Sequence, residues 1–288
     1  MSAEPNWPDG ARGALSLSFD NLGEAAEIEL GAIDADTELD PHPTVTEALP
    51  ALLGALEAAG LKATFFVEGL NTERYPEALT GIAAAGHEVA YHAWRHEQWG
   101  DLSAEEQAHN LKRGLIGFRA LGIEPTGLRP PGGLLGPGGL DVLREAGLRY
   151  CSPAGEGAGE DGGIALLPFQ WRHLDASCVL PPLGTVREQI AGSAEPLDPG
   201  AFLAHLESEV ERLARDGGYA TFVLHPFMLA WFGEDRLAEL LDLVIAASAG
   251  GDLWVAPCAA AAEYVLANPE RFRGQTALDS TSWASRGG

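Results

Sequence analysis

Positive charge is scarce in this chain. Its 288 residues carry 18 Lys and Arg against 42 Asp and Glu, a net charge of −24. Such a surface repels nucleic-acid phosphates and anionic lipid headgroups, so a nucleic acid or a membrane is not an expected partner. A neutral or cationic substrate suits the charge better. Cysteine is scarce too. Cys151, Cys178 and Cys258 stand alone, with no CxxC or metal-knuckle spacing, and an odd, unpatterned count predicts a reducing compartment. Long apolar runs are missing: stretches such as Val255–Ala262 are too short to cross a bilayer. Met1–Arg12 has no apolar core of the signal-peptide kind. The expectation is a soluble, cytoplasmic protein.

What the chain does have is material for a large core. Hydrophobic residues make up 46%, with seven Trp and ten Phe, which suits one α/β barrel or two small domains. The pattern predicts strands at 14–19, 63–67, 88–91, 126–129, 150–152, 165–168, 175–179, 219–224 and 253–256. Between them it predicts helices at 44–59, 76–85, 103–121, 140–146, 199–216, 236–247 and 259–267. Ser103 with Glu106 reads as a capping box, and Gly60 and Gly86 as helix stops. The Gly-rich stretch 155–163 reads as a mobile loop or linker, and 271–288 as a frayed tail. Strands alternating with helices imply a parallel sheet. At this length they imply a distorted (β/α) barrel of six to eight mostly parallel strands, one domain over 1–270.

In such a barrel the reactive side chains sit where strands end. Asp20 and Asn21 follow the first strand, His92 and His96 the third, Arg129 the fourth and His225 a late one. Each has a plainer reading when taken singly. An Asp at a strand end is commonly a turn or N-cap residue. His92 and His96 are unrelated histidines or, on a helical turn, a pair facing one divalent metal. His225, ahead of Pro226, is a half-buried histidine or a reactive one at the rim. Four such strand ends at one face form the pattern of an active site.

Four segments in order resemble the motifs of the polysaccharide deacetylase family, the family-4 carbohydrate esterases. They are Leu17-Ser18-Phe19-Asp20-Asn21, the run from Gly86 to His96, Arg129-Pro130-Pro131-Gly132-Gly133 and Leu224-His225-Pro226. Lys62–Val67 is similar to that family's second strand. The likeness spans about residues 12 to 265. It implies a metal-assisted amide hydrolase, with N-deacetylation of a carbohydrate as the first expectation. By the same resemblance Asp20 is the general base and His225 the general acid. Arg129 orients the base, and Asn21, His92 and His96 hold a divalent metal, zinc first. Gly132 offers an N–H to the oxyanion, with Leu224 beside the substrate. Trp171-Arg172-His173-Leu174-Asp175 resembles the Trp-containing segment of the peptidoglycan deacetylase and allantoinase subset. There Trp171 would floor the pocket and Asp175 would pair with Arg129; a core Trp and a surface Asp are the plainer reading. Members of that subset are often oligomers, so a homo-oligomer is expected.

Two departures matter. Asn21 stands where most members have an Asp ligand, and an amide oxygen brings no negative charge. Metal is then held weakly, or not at all, unless Glu24 substitutes. Gly132 replaces the usual Tyr of its motif, which removes a wall of the pocket. Three readings stay open: a sugar deacetylase, a hydrolase of a small amide or cyclic ureide, and a non-catalytic binding protein. Asn21 favours the last; Asp20, Arg129 and His225 together oppose it.

Overall fold

Alternation along the first strand sets the two faces of the sheet. In β1 (Gly13–Asp20), Leu15, Leu17 and Phe19 face the helices. Ala14, Ser16, Ser18 and Asp20 take the other face, because successive side chains in a strand point opposite ways. The computed structural model describes residues 6–37 and 40–280. Among them follow β2 (Thr64–Val67), β3 (Glu88–Tyr91), β4 (Gly127–Leu128), β5 (Tyr150–Cys151), β6 (Gly155–Glu156), β7 (Gly159–Asp161), β8 (Ile164–Leu166), β9 (Gly218–Leu224), β10 (Leu253–Val255) and β11 (Ala277–Leu278). Nine of these form one curled sheet, in the order β10-β1-β2-β3-β4-β5-β8-β7 with β9 also on β1. All neighbours are parallel except β7 on β8. The sheet thus exceeds the expected six to eight strands by one short antiparallel edge.

Long amphipathic helices cover the outside. Ala104–Ala120 starts on the Ser103–Glu106 capping box. Pro199–Asp216 buries Phe202, Leu206, Val210 and Leu213 along one stripe. With Leu240 and Val244 of the helix Glu234–Ala249, these close the main core over Leu15, Leu17 and Phe19. Each fully buried Leu or Phe of this layer contributes roughly 2 kcal/mol through lost apolar contact with water. No helix among the described residues is long and apolar enough to cross a membrane.

Three elements differ from the sequence expectation. Asp175–Cys178 is a 3-10 turn, not a strand; the Ser177 hydroxyl donates to Leu174 O at 2.6 Å. The Gly-rich stretch holds β6 and β7 and is not a linker. At Gly155 a Cβ would lie 2.4 Å from Ala277 O, so glycine lets β11 approach β6. That pairing, with Phe272 buried, orders the tail as far as residue 280; the rest of it, 281–288, lies outside the described residues.

Register decides what meets at the open end. Phe19 pairs with Leu224, Asp20 with Phe66, Tyr91 with Leu128, and Leu128 with Cys151. The residues at and just beyond these positions are Asp20, His225, His92, Arg129 and Ser152. They line up along the carboxyl ends of neighbouring strands, where parallel barrels carry their chemistry.

Candidate active site

Asp20, Asn21, His92, His96, Arg129, Gly132, Trp171 and His225 line one cavity of about 390 Å³. A larger groove of about 620 Å³ adjoins it through His42, Thr44 and Phe227 but holds none of these residues. The smaller cavity is therefore the place to look for chemistry.

Its foundation is a buried ion pair. Arg129 Nη1 donates to Asp20 Oδ1 and to Ser18 Oγ, both at 2.7 Å. Nη2 and Nε reach Ser152 Oγ at 3.0 and 3.3 Å. The guanidinium lies 4.0 Å from the Phe66 ring centroid and 5.3 Å from that of Phe169. A charge this deep is tolerable only when paired and hydrogen-bonded. The second Asp20 oxygen has no protein partner among the described residues.

Three histidines in the cavity are driven apart. His92 is pushed down to about 3 by burial, with Arg129's charge adding to the effect. His96 falls to about 3 through burial and through His92 and His225 nearby. Both rings are neutral at ordinary pH. The Nδ1–H of His92 donates to Arg129 O at 2.8 Å, which leaves Nε2 as a lone pair. The two ring centroids are 4.9 Å apart. His225 goes the other way. Burial lowers it, but the charge and hydrogen bond of Asp175, with Asp20 behind, outweigh burial and hold it above the ordinary histidine value. Asp175 accepts from His225 Nδ1 at 2.5 Å and from its backbone N–H at 2.7 Å.

The 92–96 segment is not the helical turn its spacing suggested. Ala93 and His96 have φ of 64° and 78°, and Asn21 has 63°. Glu97 replaces a helix as partner for the backbone, accepting from Trp94 N at 3.0 Å and Arg95 N at 2.8 Å. For Asn21 the left-handed backbone is a mild demand, since Asn tolerates it better than most residues. Its side-chain Oδ1 is buried and accepts no hydrogen bond. A buried amide oxygen without a donor costs free energy unless something binds it. Among the described residues no three His, Cys, Asp or Glu gather as a metal-binding group. The donor set available to a cation is therefore two neutral imidazoles and one amide oxygen, which suits a divalent ion but supplies no anionic ligand.

Other expected roles are placed differently. Asp175 pairs with His225 and not with Arg129. Leu224 packs in the core and does not line the cavity, because it points to the helix face with Phe19. Glu24 is held by Arg74 and by Tyr75 Oη at 2.7 Å, away from the cavity. Gly132 has φ 77° and lines the cavity, and its N–H donates to nothing among the described residues. Trp171 lines the cavity with its ring edge-on to Phe169 at 5.1 Å.

Sequence reasoning missed the second layer. Ser18 and Ser152 fix Arg129. Glu68 Oε2 accepts from Leu22 N at 3.3 Å and from Asn71 Nδ2 at 3.2 Å. Asn71 donates in turn to Leu22 O at 2.7 Å, so the pair holds the turn that presents Asn21. Burial raises Glu68 to about 8, and its Oε1 has no partner. The one available signal was a Glu directly after an apolar strand, beside the quoted Lys62–Val67 run.

Residues 32–151 match the sequence profile described as polysaccharide deacetylase. A peptidoglycan-N-acetylglucosamine deacetylase of Bacillus cereus is 31% identical over 109 residues, which is 38% of this chain and 50% of that protein. The match thus reaches half the length of that relative. A solved candidate polysaccharide deacetylase from Mycobacterium smegmatis superposes with a TM-score of 0.76 at 26% identity, over 97% of this chain and 98% of that one. The solved Puue allantoinase shares the fold, with a TM-score of 0.71 at 17% identity over 93% and 95% of the two chains.

Proposed function

Because this chain is related to the polysaccharide deacetylase family, we propose that it hydrolyses a non-peptide carbon–nitrogen bond, removing the acetyl group from an N-acetylated carbohydrate. The observation that carries this reading is the division of labour among the cavity histidines. Burial keeps two of them neutral, Asp175 holds the third above the ordinary histidine value, and a buried carboxylate lines the same cavity. Amide hydrolysis needs a proton removed from water and a proton delivered to nitrogen, and environments that push titratable groups apart supply both.

In this reading Asn21, His92 and His96 hold a divalent ion, with zinc the first candidate. When bound, such an ion lowers the pKa of water and polarises the amide carbonyl. Asp20 takes the proton from the attacking water. Arg129, fixed by Ser18 and Ser152, keeps Asp20 aimed. The Gly132 N–H offers a donor to the developing oxyanion. His225 delivers a proton from Nε2 to the leaving nitrogen, while Asp175 keeps Nδ1 protonated and the ring oriented.

A second reading, hydrolysis of a small non-sugar amide or cyclic ureide, is supported by the fold this chain shares with the solved Puue allantoinase. The test starts with elemental analysis of purified protein before and after zinc is added. Acetate release from N-acetylglucosamine oligomers, with and without a chelator, follows. Metal uptake with chelator-sensitive release is the expected result. Release that no chelator affects, from protein that takes up no metal, would overturn the metal assignment. Ureide hydrolysis without any acetate release would favour the second reading.

A further inference from the structure

Five large apolar side chains are exposed among the described residues: Leu30 at 77%, Ile116 at 59%, Phe227 at 50%, and Leu180 and Leu278 at 40% each. Scattered singly, such residues need no explanation. Here Leu30, Leu180 and Phe227 line the same cavity, although they come from three distant parts of the chain. Leu30 ends the short helix Ala25–Glu29, Leu180 precedes the 3-10 turn Pro181–Leu183, and Phe227 follows β9. Leu174, Ala176 and Leu183 continue the same wall inward. A convergent apolar surface at a cavity mouth marks a binding region.

The wall has a definite place relative to the chemistry. Leu174 and Ala176 flank Asp175, which holds His225. The Phe227 ring centroid is 4.9 Å from that of His225. His225 is the group that protonates the leaving nitrogen, so whatever that nitrogen carries lies against Leu174, Leu180 and Phe227. The polar side chains that would greet a bare sugar are few. Glu27 and His42 face each other at 3.3 Å, and Thr44 Oγ1 is engaged by His42 and by Gly23 N. Outside the reacting groups, only the Gln98 side chain and the Trp171 Nε1–H line the cavity without a protein partner among the described residues. A chain of sugars presents hydroxyls on almost every carbon, and this wall leaves them unpaired.

Resting on the deacetylase reading, we propose that the substrate's amine-bearing half carries an apolar group. The class is an N-acetylated amino sugar with an aryl or alkyl aglycone, in place of an oligomer of bare sugars. Leu180 and Phe227 are then specificity-determining residues.

The test compares para-nitrophenyl and hexyl N-acetyl-glucosaminides with tri-N-acetylchitotriose, by acetate release and by calorimetric binding to the full-length protein. The expected result is a preference of about tenfold or more for the apolar glycosides in kcat/KM, from burial of the added apolar surface. Leu180→Ser and Phe227→Ser, both at exposed positions, should each shrink that ratio several-fold. Equal or better use of the trisaccharide would overturn the proposal, as would a preference that survives both substitutions. Binding of the apolar glycosides without acetate release would keep the pocket and remove the deacetylase reading. No binding of either would remove the pocket. If sedimentation finds a dimer that these substitutions break while the ratio holds, the patch belongs to a second copy and the proposal fails.

Discussion

The two ends of the barrel are built from the same strands and do opposite things. At the amino ends Trp7 plugs the opening. Its ring lies 4.8 Å from Phe272, 5.7 Å from Tyr219 and 5.8 Å from both Trp254 and Tyr264, and its Nε1–H donates to Gly218 O at 3.0 Å. Aromatic rings pack that end, and the indole N–H is satisfied. At the carboxyl ends Asp20, Arg129 and four histidines share a cavity, and Asn21 Oδ1 and Glu68 Oε1 go without hydrogen bonds. The difference teaches that one end is closed by aromatic packing, while the other keeps an open cavity with left-handed backbone at Asn21, Ala93 and His96 around its reactive groups.

That contrast can be broken or sharpened, and the largest effect is expected at the reactive end. Asp20→Asn should lower kcat by roughly a thousandfold below the unfolding transition, and it should cost about 3 kcal/mol of stability by leaving Arg129 buried without its counter-ion. A variant with most of its activity would remove the carboxylate from the reaction. At the other end Trp7→Ala should cost about 3 kcal/mol in chemical denaturation and leave kcat within about twofold of the parent below the unfolding transition. A large fall in kcat there, with stability intact, would dissolve the division. Asn21→Asp should tighten zinc binding by about tenfold or more, through the added charge, and His92→Ala should abolish it. A titration unmoved by both would take the ion away from these residues.

A finer effect concerns protons. Asp175 holds His225 above the ordinary histidine value, so activity that needs protonated His225 should persist to a higher pH than a free imidazole allows. Asp175→Asn should move that alkaline limb down, because burial and the charge of Arg129 are then opposed only by Asp20. The sign for stability is the same. His225's contribution is full below the ordinary histidine value and fades as pH rises through its elevated one. An unchanged limb would exclude His225 as the proton donor. The smallest effect lies at Glu68, raised from 4.5 to about 8. Folding takes up its proton in that window, so stability falls as pH climbs, by at most about 1.4 kcal/mol per unit. Glu68→Gln should flatten this slope in denaturation at about pH 5 and about pH 8; identical slopes would mean that Glu68 is ionised in the fold.

Much of the architecture was legible because period and punctuation agreed. Glu88–Tyr91 and Pro199–Asp216 have the expected bounds, since alternation, helical spacing and the Ser103 and Gly60 signals all act locally. The positions of Asp20, His92, Arg129 and His225 were legible as strand ends. What each side chain touches was not. Asp175 and His225 are 50 residues apart, and only the closing of the fold decides that they meet. The turn at Asp175–Cys178 looked like a strand because four residues give too little pattern to separate the two. Gly155–Gly163 looked like a linker because glycine signals both freedom and close approach, and only the partner strand tells them apart.

The bond between Asp175 and His225 has one more consequence. Between β8 and β9 the sheet has no ladder; near this seam the described residues show only the single bridges Ala154–Phe169 and Leu174–Val223. Asp175 follows Leu174 directly, and His225 stands two residues beyond Val223. The carboxylate therefore clasps the two lips of the barrel as well as steering a proton. In the proposed reaction the clasp would be ionic while His225 is charged and a charge–dipole hydrogen bond once its proton had gone to product. On that mechanism the barrel would be fastened most firmly before substrate arrives, and each turnover would briefly slacken its fastening.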